Sequence, residues 1–239
     1  MIDFWERFSR NRSSVFGLFI LLVVIFIAAV ASLLYPEDPF RLAGKPLSGP
    51  GLNGFLLGSD SLGRDVASGI AHGAKTSLLI GLIATIAAVF IGIIFGALSG
   101  YYGGRVDDLL MRVTEIFQTI PSFVFAILLV AIMKPSIESI VIAIAVVSWP
   151  GVARLVRAEF LSLKNREFVQ ACHTLGMNDL RIMLREILPN CLSPIIVIGS
   201  LMVATAILIE SGLAFLGLGD PNIMSWGFQI GAGRTMLRS

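Results

Sequence analysis

An all-α, polytopic membrane bundle is the fold class this sequence predicts, with five spans and one amphipathic helical hairpin outside the hydrocarbon. Three observations predict it. Of 239 residues, 56% are hydrophobic and 14% charged, and the mean hydropathy is +0.86, a composition too apolar for a soluble domain. The chain carries five charge-free runs long enough, or nearly so, to cross a hydrocarbon core of ~30 Å. Between the fourth and fifth lies the longest polar stretch, 165–189, and its apolar residues recur at helical spacing.

The first span is the run 13–36, preceded by Arg7, Arg10 and Arg12. A secretory signal is the rival reading, because the arginines, the apolar run and Ala29-Val30-Ala31 imitate its three regions. The apolar run continues through Leu33, Leu34 and Tyr35, which favours a span, and either reading places residue 37 onward outside. Residues 37–75 form an external segment rich in Gly, Pro and charge. Gly69, Gly73, Lys75 and Thr76 imitate a phosphate loop, but Ala74 separates Gly73 from Lys75 and a hydrophobic span follows.

The second span is 76–104, where Gly92, Gly96, Gly100 and Gly104 recur every fourth residue and open one helix face to close helix packing. The third is 116–133, with Pro121 expected to kink it near its start. Glu115 sits at its cytoplasmic edge, either hydrated or paired with Arg112, or as a carboxylate in the translocation path. After an outer turn at 134–138, the fourth span is 139–157. Its charge-free part, 139–153, reaches about 22 Å, so Arg154 and Arg157 are expected to snorkel. Pro150 predicts a bend, and Trp149 beside it is a candidate for the path. The fifth span is 191–210, with Glu210 at its outer end, either meeting water or lining the path. An external tail, 211–239, follows, so residues 76–239 form the core.

Within 165–189, Asn165 is expected to cap a helix whose Phe168, Ala171, Cys172 and Leu175 share one face. Gly176 stops it. Asn178 caps a second helix with Leu180, Met183, Leu184, Ile187 and Leu188 on its apolar side, and Pro189 sets its limit. Such a hairpin must cover its apolar side with lipid headgroups, its own bundle or a partner protein.

Charge sets the orientation. The segments assigned to the cytoplasm hold eleven Lys and Arg residues and the outer ones seven, which places the N terminus and the hairpin inside. The net charge of +2 is too small, and too dispersed, to argue for nucleic acid. The two cysteines, Cys172 and Cys191, imply neither a disulfide nor a metal site in a reducing compartment. With no Walker A lysine, no His-Glu-x-x-His, and isolated His72 and His173, neither an enzyme nor a cofactor is expected.

Gln170-Ala171-Cys172, three residues, Gly176, then Ile187-Leu188-Pro189 resembles the Glu-Ala-Ala…Gly…Leu-Pro loop of permease subunits in bacterial ATP-binding-cassette importers. Gln170 stands in place of Glu, Cys172 in place of the second Ala, and Glu186 where His is common in the peptide branch. Gly58-Ser59-Asp60, Leu62-Gly63-Arg64-Asp65, Glu210 with Phe215-Leu216-Gly217-Leu218-Gly219, and Ser225-Trp226-Gly227 resemble the dipeptide, oligopeptide and nickel branch. The resemblance implies half of a translocation pathway, a second permease subunit, two cytoplasmic ATP-binding subunits and a periplasmic solute-binding protein. It implies ATPase docking by Phe168, Gln170, Ala171, Cys172 and Leu175, with Gly176 at the turn. Asp60, Arg64 and Asp65 read either as a local turn or as a contact with the binding protein. Peptide is the expected substrate, with nickel or another small solute as the alternative. The family also has a sixth span beyond the Ser-Trp-Gly segment, so a shortened chain is expected. The rival from another class is a passive channel or a membrane scaffold whose hairpin lies on lipid.

Overall fold

The computed structural model describes residues 8–234; Arg7 and Arg238, counted in the charge bias, lie outside the described residues. Among the described residues the chain is helical, with one isolated bridge between Ser59 and Asp65 and no strand. It divides into two compact units, one of residues 1–78 and 214–239, the other of residues 79–213.

In the first unit, helix α1 (Arg12–Leu34) starts where Asn11 Oδ1 accepts hydrogen bonds from the backbone N–H groups of Ser13 at 3.1 Å and Ser14 at 3.4 Å. It is apolar on all sides and only Ala31 is buried, the pattern of a helix that faces lipid around most of its circumference. The segment after it is held by turns. Asp60 Oδ1 accepts from Leu62 N at 2.8 Å and Arg64 N at 2.9 Å, and Asp65 Oδ1 accepts from Ala67 N at 2.8 Å, covering the start of the next helix. Gly63 is required by its left-handed φ of +84° and by Gly44 O, which would stand 2.2 Å from any Cβ there. The Arg64 guanidinium stacks 5.2 Å from the Phe40 ring centroid and 5.7 Å from that of Phe228. Asp60, Arg64 and Asp65 thus build a local turn.

The expected external tail is described as far as residue 234. It contains a short helix, α8 (Trp226–Gly233), capped by Ser225, and Trp226 N donates to Ser77 Oγ at 3.1 Å while Trp226 Nε1 donates to Ile70 O at 3.0 Å.

Helix α2 (Val66–Tyr102) has 37 residues. Its C-terminal part enters the second unit, where α3 (Gly104–Gln118), α4 (Ser122–Met133), α5 (Ile137–Leu163), α6 (Glu167–Thr174) and α7 (Asp179–Phe215) follow. Among the described residues four helices, α1, α2, α5 and α7, are each long and apolar enough to cross a membrane, and a fifth span forms if α3 and α4 count as one. The expectation of a single kinked helix over 116–133 is corrected: α3 and α4 meet at 80°, with Pro121 outside both. Proline supplies no N–H to the helix ladder and pushes the residue before it out of the α region, so the break falls at this point.

Proline has weaker effects elsewhere. Pro150 lies inside an unbroken α5. Pro189 was expected to end a helix, yet α7 runs through it, because residues Ile182–Ile187 widen into a π-helical turn. Leu188 N bonds to Met183 O, five residues back. The wider turn moves aside the carbonyl that the proline ring would otherwise strike.

Three of the four spaced glycines form a seam. A Cβ on Gly92 would lie 2.5 Å from Val152 Cβ, one on Gly96 2.5 Å from Ala153 O, and one on Gly100 2.6 Å from Phe160 Cβ. The backbones of α2 and α5 therefore touch along three turns, the contact that small residues permit in lipid. Gly104 is not part of it: with φ +52° and no neighbour within 4 Å of a Cβ, it starts α3. Gly96→Leu is expected to lower the thermal midpoint of the detergent-solubilised chain strongly, since the overlap is with backbone that cannot swing away. Gly151→Ala, where a Cβ meets nothing within 4 Å, is the control and should leave it unchanged.

Candidate functional site

The polar stretch 165–189 folds as a short helix, a glycine turn and the first turns of a long one. Arg166, not Asn165, is the N-cap of α6, and it offers no side-chain bond. Asn165 contributes its carbonyl, which accepts from Gln170 Nε2 at 3.3 Å. At the other end the chain closes as a Schellman motif: Gly176 N donates to His173 O at 2.9 Å and Met177 N to Cys172 O at 3.1 Å, with Gly176 at φ +74°. Cys172 and Met177 both pack against the same buried cluster, the apolar contact that accompanies this motif. Asn178 Oδ1 then accepts from Arg181 N at 2.8 Å and starts α7. The second half of the expected hairpin is therefore the beginning of a long helix rather than a separate short one.

The turn has two apolar sides. Val169, Ile182, Met183 and Ile187 are buried in a cluster with Val152, Val156 and Phe160 of α5. Phe168, Leu180 and Leu184 are exposed, and Leu175 is 80% exposed. Of the residues expected to dock a partner, Phe168, Gln170, Ala171, Leu175 and Gly176 lie on the exposed side. Cys172 is half-buried and turned into the cluster, so its apolar side is satisfied within the chain.

Beneath the turn, Tyr101 at the end of α2 donates to Asp179 Oδ1 at 2.8 Å, and its hydroxyl lies 3.5 Å from His173 Nε2. Nearby, Arg157 of α5 binds Asp107 of α3 through both carboxylate oxygens, Nε to Oδ1 at 2.6 Å and NH2 to Oδ2 at 2.5 Å. Ser99 Oγ donates to the same Oδ1. Arg157, expected with Arg154 to snorkel, is thus paired with Asp107 within the chain, on a helix of 27 residues. Glu115 is exposed and shares an open cavity of about 530 Å³ with Asp108, Arg112 and Arg154; Arg112 and Glu115 form no ion pair within 4 Å.

Trp149 and Glu210, named for the path, are both buried. Trp149 sits among aromatic rings, its centroid 4.6 Å from that of Phe95 and 5.3 Å from that of Phe117. Glu210 does not end a helix, since α7 continues to Phe215; Ser211 Oγ lies 3.5 Å from its Oε2.

Comparison with known proteins places this geometry. The family model described as "binding-protein-dependent transport system inner membrane component" matches residues 92–234, and the N-terminal transmembrane domain of oligopeptide transport permease C matches residues 1–48. The chain belongs to this family of transport permeases. It is 39% identical to the di/tripeptide transport system permease protein DppC of Pseudomonas aeruginosa, over 98% of this chain and 80% of that one. Against the oligopeptide transport system permease protein OppC of Haemophilus influenzae the identity is 40%, over 98% and 76% of the two chains. Among solved structures, a chain of the inward-facing MetNI methionine ABC transporter aligns with a TM-score of 0.61 at 15% identity, covering 71% of this chain and 82% of that one, which is a likeness of fold.

Sequence reading of this permease missed Tyr101 and Asp107. Tyr101 lies within an apolar run that carries no local signal, and its partners are more than 70 positions away. Asp107 sits in a short polar connection where charge is unremarked, and its partner is 50 positions distant. Because Asp107 is mostly buried, Asp107→Ala should cost about 1–3 kcal/mol, discounted for the 35% exposure of Arg157. Thermal denaturation of Asp107→Ala, Arg157→Ala and the double variant checks this: the double should lose clearly less than the sum of the singles.

Proposed function

We propose that the chain forms one half of the translocation pathway of an ATP-driven importer for peptides, in the bacterial inner membrane with its N terminus in the cytoplasm. Its partners are a second permease subunit, two ATP-binding subunits on the cytoplasmic side and a periplasmic solute-binding protein. The observation that carries this reading is the two-sided docking turn. Its inner side is anchored by buried apolar residues, and its outer side presents Phe168, Leu175, Leu180 and Leu184 without cover from the chain itself. An exposed apolar rim on a rigid turn suits a groove in a soluble partner. The similarity to di/tripeptide and oligopeptide permeases supports peptide over nickel or another small solute.

The mechanism follows from connectivity. ATP binding closes the ATPase pair, and the seated turn moves with it as a rigid body. α7 runs without interruption from Asp179 through the span to Phe215, so displacement of the turn passes directly into a membrane helix. The pathway then opens alternately to either side.

Affinity purification of the tagged chain from its native membrane tests the assembly, with copurifying proteins identified by mass spectrometry. ATPases together with a second permease are expected; recovery of the chain alone, beside a related permease as positive control, would favour a scaffold or a nonassembling chain. Leu175→Glu, at a site that contributes nothing to the core, should reduce ATPase recovery at least tenfold while leaving thermal stability unchanged, the loss expected when an interface anchor becomes a charge. Gly176→Asp should uncouple hydrolysis from uptake or prevent assembly, and normal uptake at normal expression counts against docking through this turn.

A further inference from the structure

We propose that Tyr101 is a positioning residue that makes α2 move with the docking turn. The inference rests on the reading that this turn seats an ATPase, and it concerns how the motion spreads once seated. Two helices are joined to the turn by the chain itself: α5 leads into it and α7 leads out. α2 ends at Tyr102 and has no covalent link to it. Its connection there is made by side chains, and these are of two kinds.

One kind is apolar. Ala97, Leu98 and the Tyr101 ring pack against the cluster that includes Val169, Ile182 and Ile187. Such contact holds the elements together but is not directional, so it does not by itself select one register. The other kind is the Tyr101 hydroxyl. It donates to Asp179 Oδ1 at 2.8 Å and lies 3.5 Å from His173 Nε2, while the Tyr101 and His173 rings stack with centroids 6.4 Å apart. His173 belongs to the last turn of α6 and Asp179 opens α7, so a single phenol engages both sides of the Gly176 turn. It fixes the span of that turn and holds α2 to it in one register. The seam at Gly92, Gly96 and Gly100 then joins α2 to α5, which completes a closed mechanical loop of turn, α2 and α5. Without the hydroxyl, the turn can shift with the ATPase while α2 lags.

The test uses the whole complex, permease pair, ATPases and binding protein, purified and reconstituted in proteoliposomes, with radiolabelled alanyl-alanine as the transported probe. Copurification of the ATPases with the wild-type chain reports the docking reading; alanyl-alanine taken up per ATP hydrolysed reports the present one. Tyr101→Phe keeps the ring packing and removes only the hydroxyl. It should assemble and hydrolyse ATP as wild type, with uptake per ATP reduced about fivefold, the population shift expected from one lost hydrogen bond. Asp179→Ala should do the same, Asp179→Asn, which keeps an acceptor oxygen, should retain most of the coupling, and Tyr101→Phe with Asp179→Ala should be no worse than either alone. Tyr102→Phe, at the exposed neighbouring ring, should match wild type. Wild-type uptake per ATP in Tyr101→Phe, or losses that multiply in the double variant, would overturn the proposal. Should Tyr101→Phe fail to assemble, an unchanged ratio in Asp179→Ala overturns it equally.

Discussion

The second unit depends on the backbone contact between α2 and α5. In lipid there is no hydrophobic force to drive two apolar helices together, so association rests on close packing and on hydrogen bonds that short distances permit. Gly92, Gly96 and Gly100 supply the close packing. The polar links follow from it. Arg157 contributes its backbone to the wall that Gly96 and Gly100 face, and its side chain leaves that same wall to clasp Asp107. Ser99, on the α2 side, reaches the same carboxylate. A side chain larger than hydrogen at Gly96 or Gly100 would separate the helices and stretch the shared hydrogen bonds as well. Phe160, pressed against Gly100, is also part of the floor on which the docking turn rests. One seam thus sets the position of α3 through Asp107 and of the turn through Phe160.

The docking turn illustrates why an amphipathic pattern underdetermines its own use. Helical spacing groups Phe168, Ala171, Cys172 and Leu175 on one face, and a single apolar face would be consumed by a single neighbour. The folded turn instead uses two. Val169, absent from that grouping, is fully buried, while Leu175 is left in the open. The Schellman motif reverses the chain at Gly176 so that Cys172 and Met177 pack on the cluster together, which leaves Leu175 between them in the open. An element of eight residues thus buries one apolar stripe on the bundle and leaves a second one exposed.

Legibility from sequence followed the range of the interaction concerned. The all-helical membrane class, the existence of the long apolar helices and the glycine spacing are properties of contiguous residues, and they are visible as such. Local chemistry was also readable where one residue acts on its neighbours: Asn178 caps and Gly176 turns. Proline was the least transparent, because its effect depends on the space around the preceding turn. Pro121 separates two helices at 80°, Pro150 interrupts nothing, and Pro189 is absorbed by a π-helical turn. Pairings across long separations were invisible, as for Asp107 with Arg157 and Tyr101 with Asp179, since each residue alone has an adequate bland explanation. Glu210 is a different case. It read as the end of a span because the charge-free run stops there, but α7 continues and carries it into the interior, where only a hydrogen-bonded carboxyl group is tolerable.

The π-helical turn at Ile182–Ile187 keeps the glycine turn and its span on one continuous helix. A helix that ended at Pro189 would leave the docking turn joined to its span by a flexible link, and rigid-body motion of the turn would be lost in that link. Widening the ladder by one residue keeps the helix continuous while accommodating the proline, at the cost of a less regular segment immediately beneath the turn. The irregular segment is also where Ile182, Met183 and Ile187 are most deeply buried, so packing supplies the rigidity that the hydrogen-bond ladder gives up. What holds this segment to the bundle is therefore side-chain burial and the Tyr101–Asp179 hydrogen bond rather than helical regularity. A turn built in this way can move as one piece with whatever it is seated in, and it carries α7 with it.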